Sequence, residues 1–410
     1  MQYRLTFVLA VAGLSALVSA AVAFAQNTGV CDVPSVFPTI QSAIDEPLCT
    51  TVRLAPLTYH EQLTIPRSLT LAGRSFQQGD ESFVSRLQPP PTMTAPYALI
   101  NVVGARTRVK IKHIVLEGPA TAAGLIGVLS GRDTRLTIRD CVFRNMSPSP
   151  LNAGSGFVAI HVGAPLLPGA KPGITGHSIT NCRFVGYQNA AIIVEGVGTK
   201  ATITGNLIAG DVVDGVRPAG TAAPIGVLVH DGAQATIDRN DVQDNSREGG
   251  GGAAVVIDDG ATGSIVSANN IFRNDLGVGV DGTPSVKIYR NALFRNDTGI
   301  SLGETAISDS HTVQANRIES GGTGLSVGHS SSNSLSSNYS VKNTGDGIVL
   351  SPAAVKNKLY HNRSENNGGL GFSDSSAGKG TAGTANTYTS NLCSGNNGGG
   401  AQSSPLKLCK

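Results

Sequence analysis

The stretch Ser285–Glu304, SVKIYRNALFRNDTGISLGE, sets the period of this 410-residue chain, because close variants of it recur and no other segment repeats. Read as a template it runs Val286-x-Ile288, Asn291-x-Leu293, Asn296, then Gly299-Ile300-x-Leu302. The same asparagine returns at Asn206, Asn240, Asn269, Asn316, Asn338, Asn362 and Asn391, at intervals of 22 to 34 residues, which is one supersecondary unit per repeat. Apolar residues at alternate positions make strands of two or three residues, and Asn or Gly separates them. Each repeat is therefore a coil of short strands.

Two solenoids use such a pattern. Val286-x-Ile288-x-x-Asn291-x-Leu293 also fits a leucine-rich repeat, but that architecture needs a helix or helical turn in its other half. Here the other half offers Gly299-Ile300-Ser301-Leu302, Gly324-Leu325-Ser326-Val327, Gly347-Ile348-Val349-Leu350 and Gly369-Leu370-Gly371-Phe372, which alternate with a period of two. Gly, Ser, Thr and Asn dominate the remainder and make poor helix interiors. The strict six-residue spacing of a left-handed hexapeptide helix is absent.

On these residues the chain resembles the right-handed parallel β-helix proteins, the pectin-lyase-fold group of secreted repeat proteins that includes pectate lyases, polygalacturonases and mannuronan epimerases. The resemblance implies an all-β chain, a right-handed parallel β-helix solenoid of roughly 11 to 13 coils with a short N-terminal capping helix. Thr39 as N-cap and Ile40, Ala43 and Ile44 as one apolar face place that helix. The alternating run from Thr51 to Gly73 resembles the usual opening of the family.

Composition fits one extended domain. Glycine supplies 51 residues and tryptophan none, so the core must be stacked Val, Ile, Leu and Phe. A formal charge of +3 is too small to argue for nucleic acid or a membrane surface. Arg4, the apolar run from Leu5 to Val22 and Ala23-Phe24-Ala25 read as an export signal over 1–25. No later run is long enough to span a membrane, so a secreted or periplasmic location is expected. Residues 26–50 then form an N-terminal cap, 51–390 the solenoid and 391–410 a C-terminal cap. Proline- and glycine-rich stretches at 77–96, 147–176 and 210–224 interrupt the period as insertions.

The six cysteines suit an oxidising compartment. Cys31 with Cys49 and Cys393 with Cys409 flank the first and last segments and read as staples for open ends that would otherwise expose strand edges. Cys141 and Cys182 occupy the asparagine slot of their coils, as a third disulfide or as two buried thiols, the latter favoured.

Two sets of side chains carry candidate chemistry. Just after the Gly-Ile-x-Leu strand come Glu195, His230 or Asp231, Asp258 or Asp259, Asp281, Glu304 and His329, one per coil. Asp231, Asp259 and Asp281 end strands as Asp-Gly turns; converging, they would make a calcium site or an acid/base pair for glycoside chemistry, with His230 as a candidate base. Asp258 and Asp259 cannot both serve on one face of a strand. Around the asparagine corner lie Arg144, Arg183, Arg239, Arg273, Arg290, Arg295, Arg317 and Arg363. Such a row would either keep the solenoid soluble or bind the carboxylates or sulfates of a polymer; Arg273, Arg295 and Arg317, with Glu304 and His329, are the substrate-binding candidates. The family's catalytic signatures are mostly missing: Asp258-Asp259 and Gly328-His329-Ser330 are partial echoes, and Arg317-Ile318-Glu319 lacks the lysine. No spacing resembles a transition-metal site. The expected function is binding of an anionic polysaccharide along the solenoid. The alternatives are a lyase, C5-epimerase or glycoside hydrolase using the aspartates, or a passive, adhesin-like spacer.

Overall fold

Three strands per coil, each hydrogen-bonded to its counterparts in the coils before and after, build three parallel sheets of 14, 13 and 13 strands. The computed structural model describes residues 29–75, 83–118, 124–131, 133–147, 157–164, 175–210, 221–397 and 400–410. The expected export signal at 1–25 lies outside them, as do parts of the three insertions. The connections take the right-handed sense that parallel crossovers adopt, and the chain is a right-handed parallel β-helix.

One coil shows how the sequence does this. Lys287–Tyr289 lies in the first sheet, Ala292–Phe294 in the second and Thr298–Leu302 in the third. Ile288, Leu293, Ile300 and Leu302 point inward and are fully buried. Burying each such side chain contributes roughly 1.5–3 kcal/mol, too little per coil to offset the ordering of more than 20 residues, so stability accumulates through stacking. Register holds through the stack: Ile288 pairs Val266 and Val313, and Ile300 pairs Val278 and Leu325.

The corners are made by single residues in the left-handed region. Arg239, Ala268, Arg290, Ala315, Ser337 and His361 take φ between 52° and 57° before the ladder asparagine, and Arg273, Arg295 and Lys342 do so at the next corner. This conformation costs an L residue roughly 1 kcal/mol. A cross-coil backbone bond at each corner offsets it, as from Arg290 N to Gln314 O at 3.0 Å.

Three columns of side chains complete these corners from inside. The first runs through Asn206, Asn240, Asn269, Asn291, Asn316, Asn338, Asn362 and Asn391. A second runs through Asn245, Asn274 and Asn296 and resumes at Asn343, Asn367 and Asn396. The third joins His311, Asn333, Asn357 and Asn386.

The ends are tied covalently. Cys31–Cys49 and Cys393–Cys409 are disulfides with Cα separations of 5.6 and 5.8 Å. Cys141 and Cys182 are buried free thiols at the head of the first column, where Cys182 N donates to Asn206 Oδ1 at 2.8 Å. A six-residue helix, Ile40–Asp45, carries a Thr39 capping box and buries Ile40, Ala43 and Ile44. Two stretches that read as insertions contain strands of the stack: Ser85–Gln88 in the second sheet and Phe157–Ala164 in the third. No helix among the described residues is long and apolar enough to cross a membrane.

Candidate functional site

At the end of the third sheet, Glu195 pairs His230 in register, and the ladder continues through Asp258 and Asp281 by bonds from Asp258 N to Val229 O and Asp281 N to Ile257 O, both 3.0 Å. Neighbours in this column are about 4.8 Å apart. Asp231 and Asp259 fall one residue beyond it, on exposed turns with φ of 53° and 45°. The expected trio Asp231, Asp259 and Asp281 therefore does not share one position: the Asp-Gly turn begins two residues after Val229 and Ile257 but one residue after their partner Val280, and Asp258 takes the place given to Asp259. Glu304 and His329 likewise sit one residue past Gly303 and Gly328, exposed, on the turns after this sheet and away from the arginines with which they were grouped.

The members of the column differ in state. Burial, then the charges of Asp259, Asp231 and Asp281, push Asp258 up to about 6, although His230 pulls the other way. Its buried Oδ1 has no hydrogen-bond partner among the described residues. Asp281 is fully engaged, accepting from Thr305 N at 3.2 Å, Ala306 N at 2.8 Å and the Thr305 hydroxyl. His230 Nδ1 lies 3.4 Å from Asp231 Oδ2. One coil earlier, His161 Nε2 is 2.6 Å from Glu195 Oε2, both largely buried. The contact joins positions 34 residues apart across an insertion. Among the described residues no three or more His, Cys, Asp or Glu side chains are grouped so as to hold a metal ion.

The arginines occupy four columns rather than one row: Arg144 stands third in its strand Val142–Met146, in register with Val185 and 2.8 Å from Glu117 Oε1. Arg239 and Arg290 make the first corner and Arg273 and Arg295 the second, while Arg183, Arg317 and Arg363 open strands of the second sheet. Most are already neutralised. Arg273 makes a two-pronged bond to the buried carboxylate of Asp244, at 2.6 and 2.8 Å, and lies over Phe272 at 4.8 Å. Arg317 binds Glu319 at 2.8 Å and Arg363 binds Glu365 at 2.5 Å, each two residues along the same strand and so on the same face. Both guanidinium groups flank the ring of Tyr339, at 5.1 and 5.3 Å.

The outward face of the second sheet also carries aromatics the sequence reading did not use. Phe272 and Phe294 stack with ring centres 4.9 Å apart. The other face of Phe294 borders an open depression of about 300 Å³ lined by Ala292, Leu293, Phe294, Arg295, Arg317, Glu319 and Ser320. Small Ala292 leaves the floor low, and exposed Arg295 stands at the rim with its side chain unpaired among the described residues. An apolar ring, a free cation and an Arg–Glu pair around a space of this size suit one sugar: C–H groups meet the ring and hydroxyls meet the paired charges.

A family described as periplasmic copper-binding protein (NosD) matches residues 223–402. No curated protein matches the chain. Among solved structures, the periplasmic alginate epimerase AlgG is similar at 16% identity, with 83% of this chain and 77% of that one covered and a TM-score of 0.57. DFA-IIIase from Arthrobacter chlorophenolicus A6 is similar at 13% identity, with 81% and 91% covered and a TM-score of 0.54. The A-module of the Azotobacter vinelandii mannuronan C-5 epimerase AlgE6 is similar at 14% identity, with 90% and 95% covered and a TM-score of 0.51. These likenesses show a shared fold.

Proposed function

We propose that this protein binds an acidic polysaccharide along the outward face of its second sheet, in the periplasm or outside the cell. The observation that carries the reading is the depression between Phe294 and Arg317, with Arg295 at its rim. The alginate and mannuronan named for two of the similar structures support a carbohydrate role. In this reading residues 26–50, including the helix Ile40–Asp45, close one end of the solenoid, 391–410 close the other and 51–390 present the binding face. The copper named for the matching family finds no grouped ligands here: among the described residues His230, His311, His329 and His361 belong to no group of three or more His, Cys, Asp or Glu side chains that could hold a metal ion, there is no methionine between 223 and 402, and the one cysteine, Cys393, is in a disulfide. Thioether and thiolate donors are therefore missing from that stretch.

A second reading rests on Asp258. A carboxyl held up to about 6, one coil from the hydrogen-bonded carboxylate of Asp281, has the division of roles a glycosidic acid/base pair uses. Retention on an immobilised polyuronate, with and without calcium, tests binding; new reducing ends or unsaturated products test catalysis. Salt-sensitive retention that drops when Arg295 is replaced by Ala supports the first reading. Products lost in Asp258→Asn support the second. With neither retention nor products, a passive spacer is what stands.

A further inference from the structure

Corner cations and Arg–Glu pairs alternate from coil to coil over four successive turns of the second sheet. Ala292–Phe294 presents an aromatic ring and, at its corner, Arg295, exposed and without a partner among the described residues. The next strand, Arg317–Glu319, presents a closed Arg–Glu pair and Ser320. Tyr339–Val341 again presents a corner cation, Lys342, exposed and without a partner among the described residues, while its ring stands at the first position of the strand, in register with Ala292 and not with Phe294. Arg363–Glu365 again presents a closed Arg–Glu pair, followed by Asn366. The pairing Ala292 to Arg317 to Tyr339 to Arg363 puts these strands in strict succession. The corner cations Arg295 and Lys342, and the pairs Arg317–Glu319 and Arg363–Glu365, thus recur every second coil, about 9.6 Å along the axis, while the aromatic rings do not share one position.

We propose that this face is a ruler for a linear polysaccharide with a two-sugar repeat and one anionic group per repeat, lying parallel to the solenoid axis. The inference rests on the binding reading above and adds the class of polymer. A spacing of two coils is close to the length of a linked pair of pyranose rings, so successive repeats meet the same corner cation and the same Arg–Glu pair. Arg295 and Lys342 each take the anionic group of one repeat. The intervening sugar meets Arg317–Glu319 or Arg363–Glu365, whose donors and acceptors suit vicinal hydroxyls but whose carboxylates repel a second acid. Tyr339 is held on edge between two guanidinium groups, with its hydroxyl on Glu365 at 3.1 Å, so the pairs on either side of it are fixed before ligand arrives. Only the axial direction repeats these groups; across the strands they do not recur.

The test uses the mature chain and three length-matched oligosaccharides: one alternating uronate and neutral sugar, one with an acid on every sugar, and one neutral. The alternating ligand is expected to bind about tenfold tighter than either other one by titration calorimetry. Lys342→Ala is expected to reduce that affinity several-fold while leaving the melting temperature and the neutral ligand unchanged, and Glu319→Gln to strengthen binding of the fully acidic ligand. Equal or tighter binding of the fully acidic ligand by the unmodified protein overturns the ruler and leaves acidic-polysaccharide binding intact. Preference for the neutral ligand, or no binding of any of the three, overturns both.

Discussion

Asn291 Nδ2 donates to Asn316 Oδ1 at 3.0 Å, while Asn291 Oδ1 accepts from both the backbone N–H and the Nδ2 of Asn269 at the same distance. With the further bond from Nδ2 to Val266 O, the amide uses every strong site it has, inside a core where water cannot replace any of them. Asn291→Ala leaves the amides of Asn269, the carbonyl of Val266 and the Oδ1 of Asn316 short of partners. It is expected to lower unfolding stability by about 3 kcal/mol or more in a urea titration. A loss under 1 kcal/mol would mean the column is not what fixes the corners.

His311 stands in the third column where later coils have asparagine. Its Nδ1 accepts from Val286 N at 3.1 Å, and burial lowers its pKa to about 4. The unfolded chain takes up the proton at its ordinary, higher value, so this contribution to stability is whole above about pH 6.5 and is lost as pH falls towards 4. His177, also lowered to about 4 by burial, acts in the same sense. His311→Asn, which keeps an acceptor for Val286, should reduce the fall in melting temperature between pH 6.5 and 4.5. An unchanged acid profile would show that His311 does not govern it.

Asp258 works in the opposite direction. Its folded pKa of about 6 lies above the ordinary carboxyl value, so the folded state holds the proton more tightly, and stability is lost as pH rises from about 4 through 6. Because the side chain is partly exposed, solvent screening reduces the effect to roughly 1–2 kcal/mol. Asp258→Asn should raise the melting temperature at pH 7 and leave it little changed at pH 4. A drop at pH 7 would mean that the carboxylate makes a stabilising contact.

Cys141 and Cys182 are each 1% exposed, and burial, with the neighbouring thiol, pushes Cys182 well up from its usual value. Attack on an electrophile needs an exposed thiolate. Iodoacetamide should label neither thiol in native protein at pH 8 and both in denaturant. Rapid native labelling would place one of them at the surface.

The solenoid was legible because its determinants are local and repeat: Val286-x-Ile288 and Gly299-Ile300-x-Leu302 declare strands, and Asn291 declares a corner. The second asparagine column was also written in the chain, five residues after the first, as Asn245, Asn274 and Asn296 show. The third was disguised, since His177, Ser264 and His311 fill its slots with other acceptors. Corners built on Arg, Ala and Ser at positive φ carry no glycine signal. The one-residue shift from Asp259 to Asp258 depends on where a strand stops, which alternation alone does not fix. Ion pairing was readable in principle, because Arg317 and Glu319 share a strand face, but the pairing of Arg273 with Asp244 joins residues 29 apart through the coil register.

Arg273 and Arg295 occupy the same corner one coil apart, and their surroundings separate structure from binding. Arg273 neutralises Asp244, whose side chain is only 5% exposed, so Arg273→Ala strands a buried carboxylate and should cost roughly 2 kcal/mol in stability. Arg295 has no such partner among the described residues and borders the depression beside Phe294. Arg295→Ala should leave the denaturation midpoint within the small range of a surface substitution and reduce retention on an immobilised polyuronate at low salt. Comparing both variants on one column, each with its melting curve, separates a damaged fold from a lost contact. If Arg295→Ala is retained as strongly as the unmodified protein, the ligand does not engage the depression, and the binding face must be sought on the third sheet beside Asp258.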